Sequence, residues 1–275
     1  MAILHALMIG DVVGEPGLAI LETALPALIK EHAADVVVVN GENAAEGFGM
    51  TEDTLRRILA AGADVVTGGN HTWEKRDFWP LLESDQRVLR PANYPQGTAG
   101  RGWIIVEKPP AAGGAPVRWL VANLQGRELM NAIDCPFRCF DAIILAAQKD
   151  TADAPLVLVD FHAESTREKE ALAYYLDGRA SLVAGTHTHV QTADERILPK
   201  GTGYITDLGM TGAADSILGM DKKICLDRAR TQVLYRMECA KPCPGGGGAA
   251  IRGVAAEIDG ETRGASSIKR IESGQ

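Results

Sequence analysis

The stretch SLVAGTHTHV, residues 181–190, combines a short apolar run with two closely spaced histidines. The apolar run is typical of a buried strand, and Gly185 ends it. His187 and His189 follow with one residue between them, so in extended backbone both imidazoles point to the same side. Open α/β sheets bind ligands just beyond the carboxyl ends of their strands, and neutral imidazole is a common metal ligand. Taken alone, the segment fits either a metal site or an ordinary surface loop.

Other predicted strands also end in side chains that bind metals. In chain order these candidates are Asp11, Glu42 with Asn43, Asn70 with His71, His162, and the pair His187 and His189. If the strands share a direction, their ends lie along one rim and the side chains meet in space. The donors are oxygen and nitrogen without thiolate, and they are too many for one tetrahedral ion. We therefore predict two metal ions at a hydrolytic centre, with Glu42 as the candidate bridging ligand and iron, manganese or zinc as the metal.

Composition excludes several classes of protein. The chain has 275 residues, 46% of them hydrophobic, which is enough for a sizeable core. Its net charge of -8 argues against bulk binding to nucleic acid but permits a small phosphate ligand held by metals. No apolar run approaches a membrane span, and the start of the chain reads as a strand rather than a secretory leader. The five cysteines form no CxxC pair, so we expect a reduced, cytoplasmic protein without structural zinc.

Hydrophobic patterns predict a single α/β domain over residues 1–275. The predicted strands are 2–10, 34–39, 64–67, 103–108, 117–126, 155–160, 181–184, 231–239, 249–259 and 266–271, and residues 203–210 are predicted as a further strand with its loop. The predicted helices are 18–32, 55–62 with a capping pattern at Thr51, 74–82, 140–150, and 165–176 with Ser165 as its cap. The hairpin pattern at 103–126 indicates a mixed sheet. A second antiparallel hairpin is expected from 231–239 and 249–259, joined by the flexible turn CPGGGG at 243–248.

Several sequence blocks together carry a family resemblance. They are IGDVVGEPG (9–17), NGENAA (40–45), GGNHTW (68–73), LRPANYP (89–95), NLQGR (123–127), DFHAE (160–164), GRASLVAGTHTHVQTADERILP (178–199) and ITDLGMTG (205–212). In this order they resemble the calcineurin-like metallophosphoesterases, and most closely the YmdB-like branch. The resemblance extends from about residue 3 to about residue 221. It implies a four-layer α/β/β/α sandwich, in which two mixed sheets are flanked by helices.

The resemblance also implies roles for the candidate residues. One metal would be held by Asp11, Glu42, Asn43 and His189, and the other by Glu42, Asn70, His162 and His187. A hydroxide bridging the ions would attack phosphorus in line, and His71 would protonate the leaving oxygen. The alternative for His71 is a partner that orients Asn70. The implied substrate is a small phosphodiester, specifically a 2′,3′-cyclic nucleotide such as 2′,3′-cyclic AMP.

Three departures from the broader superfamily concern the first metal. Val13 stands where the first block usually has a histidine, Glu42 takes the place of a bridging aspartate, and Thr72 follows the GNH block instead of an acid. Asn43 is expected to offset the first difference as an extra ligand. The departures leave the coordination of this ion open without removing the site.

Some assignments remain open at the level of the sequence. The rival functions are a phosphomonoesterase or RNase of the same fold, and a metal-bound regulatory protein that acts through a partner. A homo-oligomer is compatible with the sequence. Asn93, Gln125 and Arg127 either line the substrate pocket or fix loops, Asp160 and Asp207 are candidates to hold the histidines, and Glu164 is expected to be a solvated loop acid.

Overall fold

The computed structural model describes residues 3–147, 154–241 and 248–274. In chain order the strands are β1 (Ile3–Ile9), β2 (Asp11–Val12), β3 (Val36–Asn40), β4 (Val65–Thr67), β5 (Val88–Leu89), β6 (Trp103–Lys108), β7 (Val117–Gln125), β8 (Leu156–His162), β9 (Leu182–Thr186), β10 (Arg196–Ile197), β11 (Gly203–Ile205), β12 (Met210–Ala213), β13 (Ala249–Asp259) and β14 (Ala265–Gly274). The helices are α1 (Gly14–Glu31), α2 (Glu52–Ala60), α3 (Trp79–Ser84), α4 (Pro136–Ala147), α5 (Thr166–Leu176) and α6 (Lys222–Thr231), and a 3-10 turn spans Arg76–Phe78.

The strands form two mixed sheets. The first has the order β2-β12-β13-β1-β3-β4-β5, with β14 beside β13, and the second has the order β10-β11-β9-β8-β7-β6. Within the first sheet β1, β3, β4 and β5 run parallel, and within the second β7, β8, β9 and β11 do. Antiparallel pairs join β13 to β1 and β6 to β7. The prediction of mixed sheets is thereby confirmed.

Alternate residues of the β-branched strand β3 face two different layers. Val37 and Val39 lie in a cluster with residues of α1 and α2, whereas Val36 and Val38 pack with residues of the second sheet, among them Trp119. A third cluster covers the far face of the second sheet with α4 and α5. Strands buried on both faces need apolar side chains at every position, which explains the continuous VVVV run. The layers are helix, sheet, sheet and helix, as predicted.

Two helices begin at the capping residues that the sequence predicted. Thr51 caps α2 in a capping box. Its side chain accepts a hydrogen bond from the Thr54 backbone N–H, and the Thr54 side chain accepts one from the Thr51 backbone N–H. Ser165 caps α5 by accepting from the Glu168 backbone. By contrast, the helix predicted to start at residue 18 begins earlier, because α1 starts at Gly14. Pro16 is tolerated there because the first helical turn needs no N–H donor from it.

The predicted strand 231–239 is wrong. Residues 222–231 form α6, and the following segment lies on the surface with Val233 51% and Leu234 83% exposed. The partners of β13 are β1, β12 and β14, so no part of β13 remains free to pair with residues 231–239. The alternating apolar residues of 231–239 therefore have no free edge of β13 to pair with. The turn at 243–248 lies outside the described residues except for Gly248.

Smaller boundary errors elsewhere also have local causes. The helix predicted at 74–82 is a 3-10 turn followed by α3, which has Pro80 in its first turn. The helix predicted from residue 140 begins at Pro136, and the described part of it ends at Ala147. In the described part of the chain, no helix combines the length and apolar character needed to cross a membrane.

Candidate metal centre

The carboxyl ends of parallel strands from both sheets meet at one rim. Asp11 follows β1, Glu42 follows β3 and Asn70 follows β4, while the second sheet contributes His162 at the end of β8 and His187 after β9. One ligand atom from each of Glu42, His162 and His187 lies within 4.8 Å of the others. The sequence separations are large, so the strand order of the two sheets is what brings these groups together.

The inner nitrogen of His162 is the meeting point of three polar atoms. His162 Nε2 lies 2.9 Å from Glu42 Oε1, 3.0 Å from Asn70 Oδ1 and 3.0 Å from His187 Nδ1. His162 and Glu42 are both buried. Two oxygens and two ring nitrogens thus converge, which is the donor set of a nitrogen- and oxygen-ligated metal.

A second group of candidates lies beside the first. Asp11 Oδ1 is 3.8 Å from His189 Nε2, and Asp11 Oδ2 accepts a hydrogen bond from the backbone of His187 at 3.2 Å. Asn43 Nδ2 lies 3.2 Å from His189 Nε2 and donates to Glu42 Oε1 at 3.3 Å. The amide of Asn43 therefore presents its nitrogen to this group, and ligation through its oxygen requires the amide to rotate.

His162, His187 and His189 each have one ring nitrogen that faces the centre and one that points away from it. The nitrogen that points away, here called the outer nitrogen, contacts a hydrogen-bond acceptor in each case. His162 Nδ1 lies 2.9 Å from the Thr186 hydroxyl, which gives its own proton to Asp160 Oδ1 at 2.7 Å. His187 Nε2 lies 3.2 Å from Glu164 Oε2, and His189 Nδ1 lies 2.9 Å from the Leu218 carbonyl oxygen.

Each of these contacts places an N–H on the outer nitrogen and leaves the inner nitrogen to face the centre. Such contacts set the tautomer and ring orientation of metal-binding histidines. Glu164, expected to be a solvated loop acid, instead contacts His187, although half of its side chain is exposed.

The charged groups of the centre shift one another's pKa values in opposite directions. Burial raises the pKa of Asp11, against the opposing effect of His189 and His162. For Glu42, burial is outweighed by the charge and hydrogen bond of His162, so its pKa is lowered. For His162, burial is outweighed by Glu42 and Asp11, so its pKa is raised. Burial and the neighbouring His162 lower the pKa of His187 to about 3.

Two further observations test whether these residues suit a metal. Asp11 Oδ1 is fully buried and has no hydrogen-bond partner among the described residues, although buried carboxylate oxygens are normally paired. Gly69 leaves space that a side chain would fill, because a Cβ there would lie 2.3 Å from Glu42 Oε2 and 2.4 Å from His162 Nε2. The unpaired oxygen of Asp11 and the space that Gly69 leaves beside Glu42 and His162 both fit a bound cation.

The two acids proposed to hold histidines act through threonines. Asp160 is buried and accepts from Thr186, Thr67 and Asn40, so it reaches His162 through the Thr186 hydroxyl. Asp207 accepts from Thr188, the residue between the two histidines of the GTHTH segment, and contacts neither ring. Both acids are thus linked to the histidine segments through threonine side chains rather than by direct contact with a ring.

His71 lies at the edge of the centre with its ring accessible. Its backbone N–H donates to Glu42 Oε2 at 3.0 Å, and its Nδ1 is 3.2 Å from Glu74 Oε1. The ring packs edge-on against Phe48 at 5.1 Å between centroids. The ring's hydrogen bond thus goes to Glu74 rather than to Asn70, which does not support the alternative role of orienting Asn70.

The three residues left between pocket and loop roles separate clearly. Among the described residues, the side chain of Asn93 bonds backbone groups of Gln125 and Asp134, which favours a loop-fixing role. Gln125, paired with His162 in the register of β7 and β8, accepts from Tyr94 through Oε1, while its buried Nε2 lacks a partner among the described residues. Arg127 is exposed, with a contact to Cys135 Sγ at 3.6 Å.

Sequence reasoning missed Thr186, Glu74, Leu218 and Lys169 as parts of this region. Leu218 acts through its backbone carbonyl, which leaves no trace in residue type. Thr186 stands inside the GTHTH block, so its position next to the histidines was the available signal. Lys169 reads as a surface residue of an amphipathic helix and is nevertheless buried.

Comparison with known proteins agrees with this geometry. A curated relative, the 2′,3′-cyclic-nucleotide 2′-phosphodiesterase of Bacillus subtilis (strain 168), is 45% identical over 268 residues, covering 98% of this chain and 96% of the relative. The crystal structure of a hypothetical protein from Thermus thermophilus matches with a TM-score of 0.86 and 40% identity, covering 99% of this chain and 100% of that one. That of a novel phosphatase from Mycoplasma pneumoniae matches with a TM-score of 0.88 and 30% identity, covering 100% of this chain and 94% of that one.

The family described as YmdB-like protein matches residues 7–271, nearly the whole described sequence. The match includes every strand end that supplies a candidate ligand, from Asp11 to His189. The resemblance seen in the sequence blocks is confirmed, and the chain belongs to the YmdB-like protein family.

Proposed function

We propose that this chain is a metal-dependent phosphodiesterase that hydrolyses small phosphodiesters, with 2′,3′-cyclic nucleotides as its substrates. The observation that carries the proposal is the convergence of three tautomer-fixed imidazoles and two buried carboxylates at one rim. The activity named for the Bacillus subtilis relative supports the choice of substrate. The free thiols of Cys135, Cys139, Cys225 and Cys239 support a reducing compartment, the cytoplasm.

The donor set supports two metal ions. Asp11, Glu42, Asn43 and His189 would hold one, and Glu42, Asn70, His162 and His187 the other. Nitrogen and oxygen ligands without thiolate suit iron first, with manganese or zinc as alternatives. When bound, such ions supply a nucleophile at neutral pH and neutralise charge on the phosphoryl oxygens.

His71 is proposed as the general acid. Glu74 would accept the Nδ1 proton of the imidazolium form of the ring, and the Nε2 proton of that form would be given to the leaving oxygen of the ester. The hydrogen bond from the His71 backbone to Glu42 ties the position of the acid to the ligand it adjoins. Packing against Phe48 restricts the ring further.

A substrate panel tests the proposal. Protein reconstituted with Fe²⁺, Mn²⁺ or Zn²⁺ would be assayed on 2′,3′- and 3′,5′-cyclic nucleotides, a linear diester, monoesters and short RNA. Opening of the 2′ ester bond is expected, so the product of a 2′,3′-cyclic substrate should be the 3′-nucleotide, separated from the 2′-isomer by chromatography. Metal analysis should give close to two ions per chain.

Three results would contradict parts of the proposal. Preference for monoesters would make the enzyme a phosphomonoesterase, and turnover of RNA alone would make it an RNase. Full activity with one ion per chain would refute the two-metal site. No turnover on any substrate would favour a regulatory, metal-bound protein.

A further inference from the structure

A lysine and an aspartate form a fully buried ion pair beneath the histidine loop. Lys169 on α5 and Asp207 after β11 are each 1% exposed, and Lys169 Nζ lies 2.6 Å from Asp207 Oδ2. Lysine is almost never buried unless it is paired, and removing two charges from water is costly. The proposed chemistry uses neither residue, so the pair needs another explanation.

Asp207 is connected to the loop that carries the two histidines. Its Oδ2 accepts from the Thr188 backbone at 3.1 Å and from the Thr188 hydroxyl at 2.7 Å, in addition to Lys169. Its Oδ1 accepts from the Gly209 backbone at 2.8 Å. Because hydrogen-bond donors approach both oxygens of Asp207, an asparagine at this position would direct its own NH₂ group at one of these donors. A carboxylate meets this requirement, and Lys169 neutralises its charge.

The loop needs such support because its backbone is unusual. His187 has φ 101° and His189 has φ 65°, both in the left-handed region that side chains other than glycine rarely adopt. Residues in this region persist when surrounding contacts determine their conformation. Thr188 lies between them, and its two bonds to Asp207 hold the centre of the strained stretch.

Lys169 also packs against the strand that leads into the loop. A Cβ at Gly185 would lie 3.0 Å from the Lys169 Cδ atom, so the stem of the lysine lies along the end of β9. On the other side of the loop, Thr192 exchanges hydrogen bonds with the Asp207 backbone. The pair therefore joins α5, the end of β9 and both sides of the histidine loop.

We propose that Lys169 and Asp207 are positioning residues, which hold residues 187–189 in the conformation that turns both imidazoles toward Asp11 and Glu42. The inference rests on the proposed metal-binding function. It adds to that function a charged pair that supports the ligands through Thr188, at a distance from the substrate and without contact to either ring.

Metal titration of defined variants tests the inference. Metal-free protein would be titrated with Mn²⁺ by calorimetry, and its unfolding temperature would be measured separately. Thr188→Val removes one bond to Asp207 from a partly exposed residue, and it should weaken Mn²⁺ binding about 10-fold, as is usual for partners of metal ligands. Lys169→Met should weaken it by about 10- to 100-fold. The matched control is Lys108→Met, which removes a lysine paired with Asp64 elsewhere, and it should leave the affinity unchanged.

The double variant distinguishes positioning from simple stabilisation. If both residues act through Asp207, Thr188→Val combined with Lys169→Met should bind Mn²⁺ no more weakly than Lys169→Met alone. A purely structural pair would lower the unfolding temperature and leave Mn²⁺ affinity as in the wild type, which would overturn the inference. Should Lys169→Met fail to fold, unchanged affinity in Thr188→Val would overturn it alone.

The same titration separates this inference from the proposed function. A wild-type protein that binds Mn²⁺ but hydrolyses no diester would overturn the proposed function and leave the affinity comparison valid. A wild-type protein that binds no Mn²⁺ would overturn both.

Discussion

At the scale of single residues, ring orientation determines what the histidines can do. His162 and His189 face the centre through Nε2, and His187 does so through Nδ1. In each case the other nitrogen meets an acceptor from a different part of the fold: a hydroxyl, a carboxylate or a backbone carbonyl. Because these acceptors fix the tautomers before any metal binds, the imidazoles need little reorganisation on loading.

Gly69 gives the sharpest test of the centre at this scale. The methyl group of Gly69→Ala would lie within 2.4 Å of the proposed ligand atoms of Glu42 and His162, and both side chains are buried. We expect the variant to fold and to lose most of its bound metal, measured by metal analysis after reconstitution.

Gly264→Ala is the matched control for this change, since its nearest neighbour to a new Cβ is a backbone oxygen 3.3 Å away and no ligand is near. It should retain the metal content of the wild type. Full metal content in Gly69→Ala would mean that Glu42 and His162 are not joint ligands.

His71 is tested by the chemistry of the leaving group. His71→Ala should keep its metals, because the residue contacts Glu42 through its backbone. Loss of a general acid typically costs about 10²- to 10⁴-fold in rate. That loss should be large on cyclic nucleotides and small on nitrophenyl diesters, whose leaving groups need no proton, as measured by kcat on both substrates.

His32→Ala at the end of α1 serves as the control, since this residue is remote from the strand ends that carry the site. Equal losses on both substrates in His71→Ala would argue for a positional role instead.

At the scale of elements, polar residues at the strand ends connect the two sheets beside the site. Asp160, near the end of β8, accepts hydrogen bonds from Asn40 and Thr67 at the ends of β3 and β4, and so links the two sheets. Buried polar networks of this kind stabilise a unique arrangement only when every member is satisfied. The register of both sheets at the rim is thus tied to the orientation of His162 through Thr186.

The capping box of α2 yields a stability prediction. Thr51→Ala removes an acceptor for the Thr54 backbone and should reduce the free energy of unfolding by about 1 kcal/mol. Denaturant unfolding of the metal-free protein would measure the change. Thr51→Ser keeps the hydroxyl and should recover most of the loss. A Thr51→Ala variant as stable as the wild type would show that tertiary packing, and not the cap, maintains the start of α2.

At the scale of the whole molecule, both sheets contribute to a common core and a common rim. Trp119 of the second sheet packs in one cluster with Val36 and Val38 of the first. Glu42 and His162 come from opposite sheets and lie 2.9 Å apart. The shared core supports the single-domain interpretation of residues 1–275, which stays a prediction.

Much of this arrangement was predictable from the sequence, for physical reasons. Strands buried on both faces appear in the sequence as continuous apolar runs, and a polar residue follows where each run ends. Asp11, Glu42 and His162 could therefore be predicted to lie together at the rim. The sequence does not show which strands pair with each other. The run 231–239 alternates like a strand, yet its place beside β13 is taken by β14. Nor could spacing reveal that Lys169 is buried, because a helix shows which side faces the protein but not which partner it meets.

Metal removal is the prediction that involves the whole molecule. Since the proposed ligands come from both sheets, bound ions should stabilise the native state over the unfolded chain, which has no formed site. A ligand present at 100 times its Kd adds about 2.7 kcal/mol per site. Chelator-treated protein should therefore unfold at a lower denaturant concentration than protein reconstituted with Mn²⁺. Gly69→Ala, expected to bind little metal, should show no such difference. Equal midpoints for loaded and chelated wild-type protein would contradict a centre that links the two sheets.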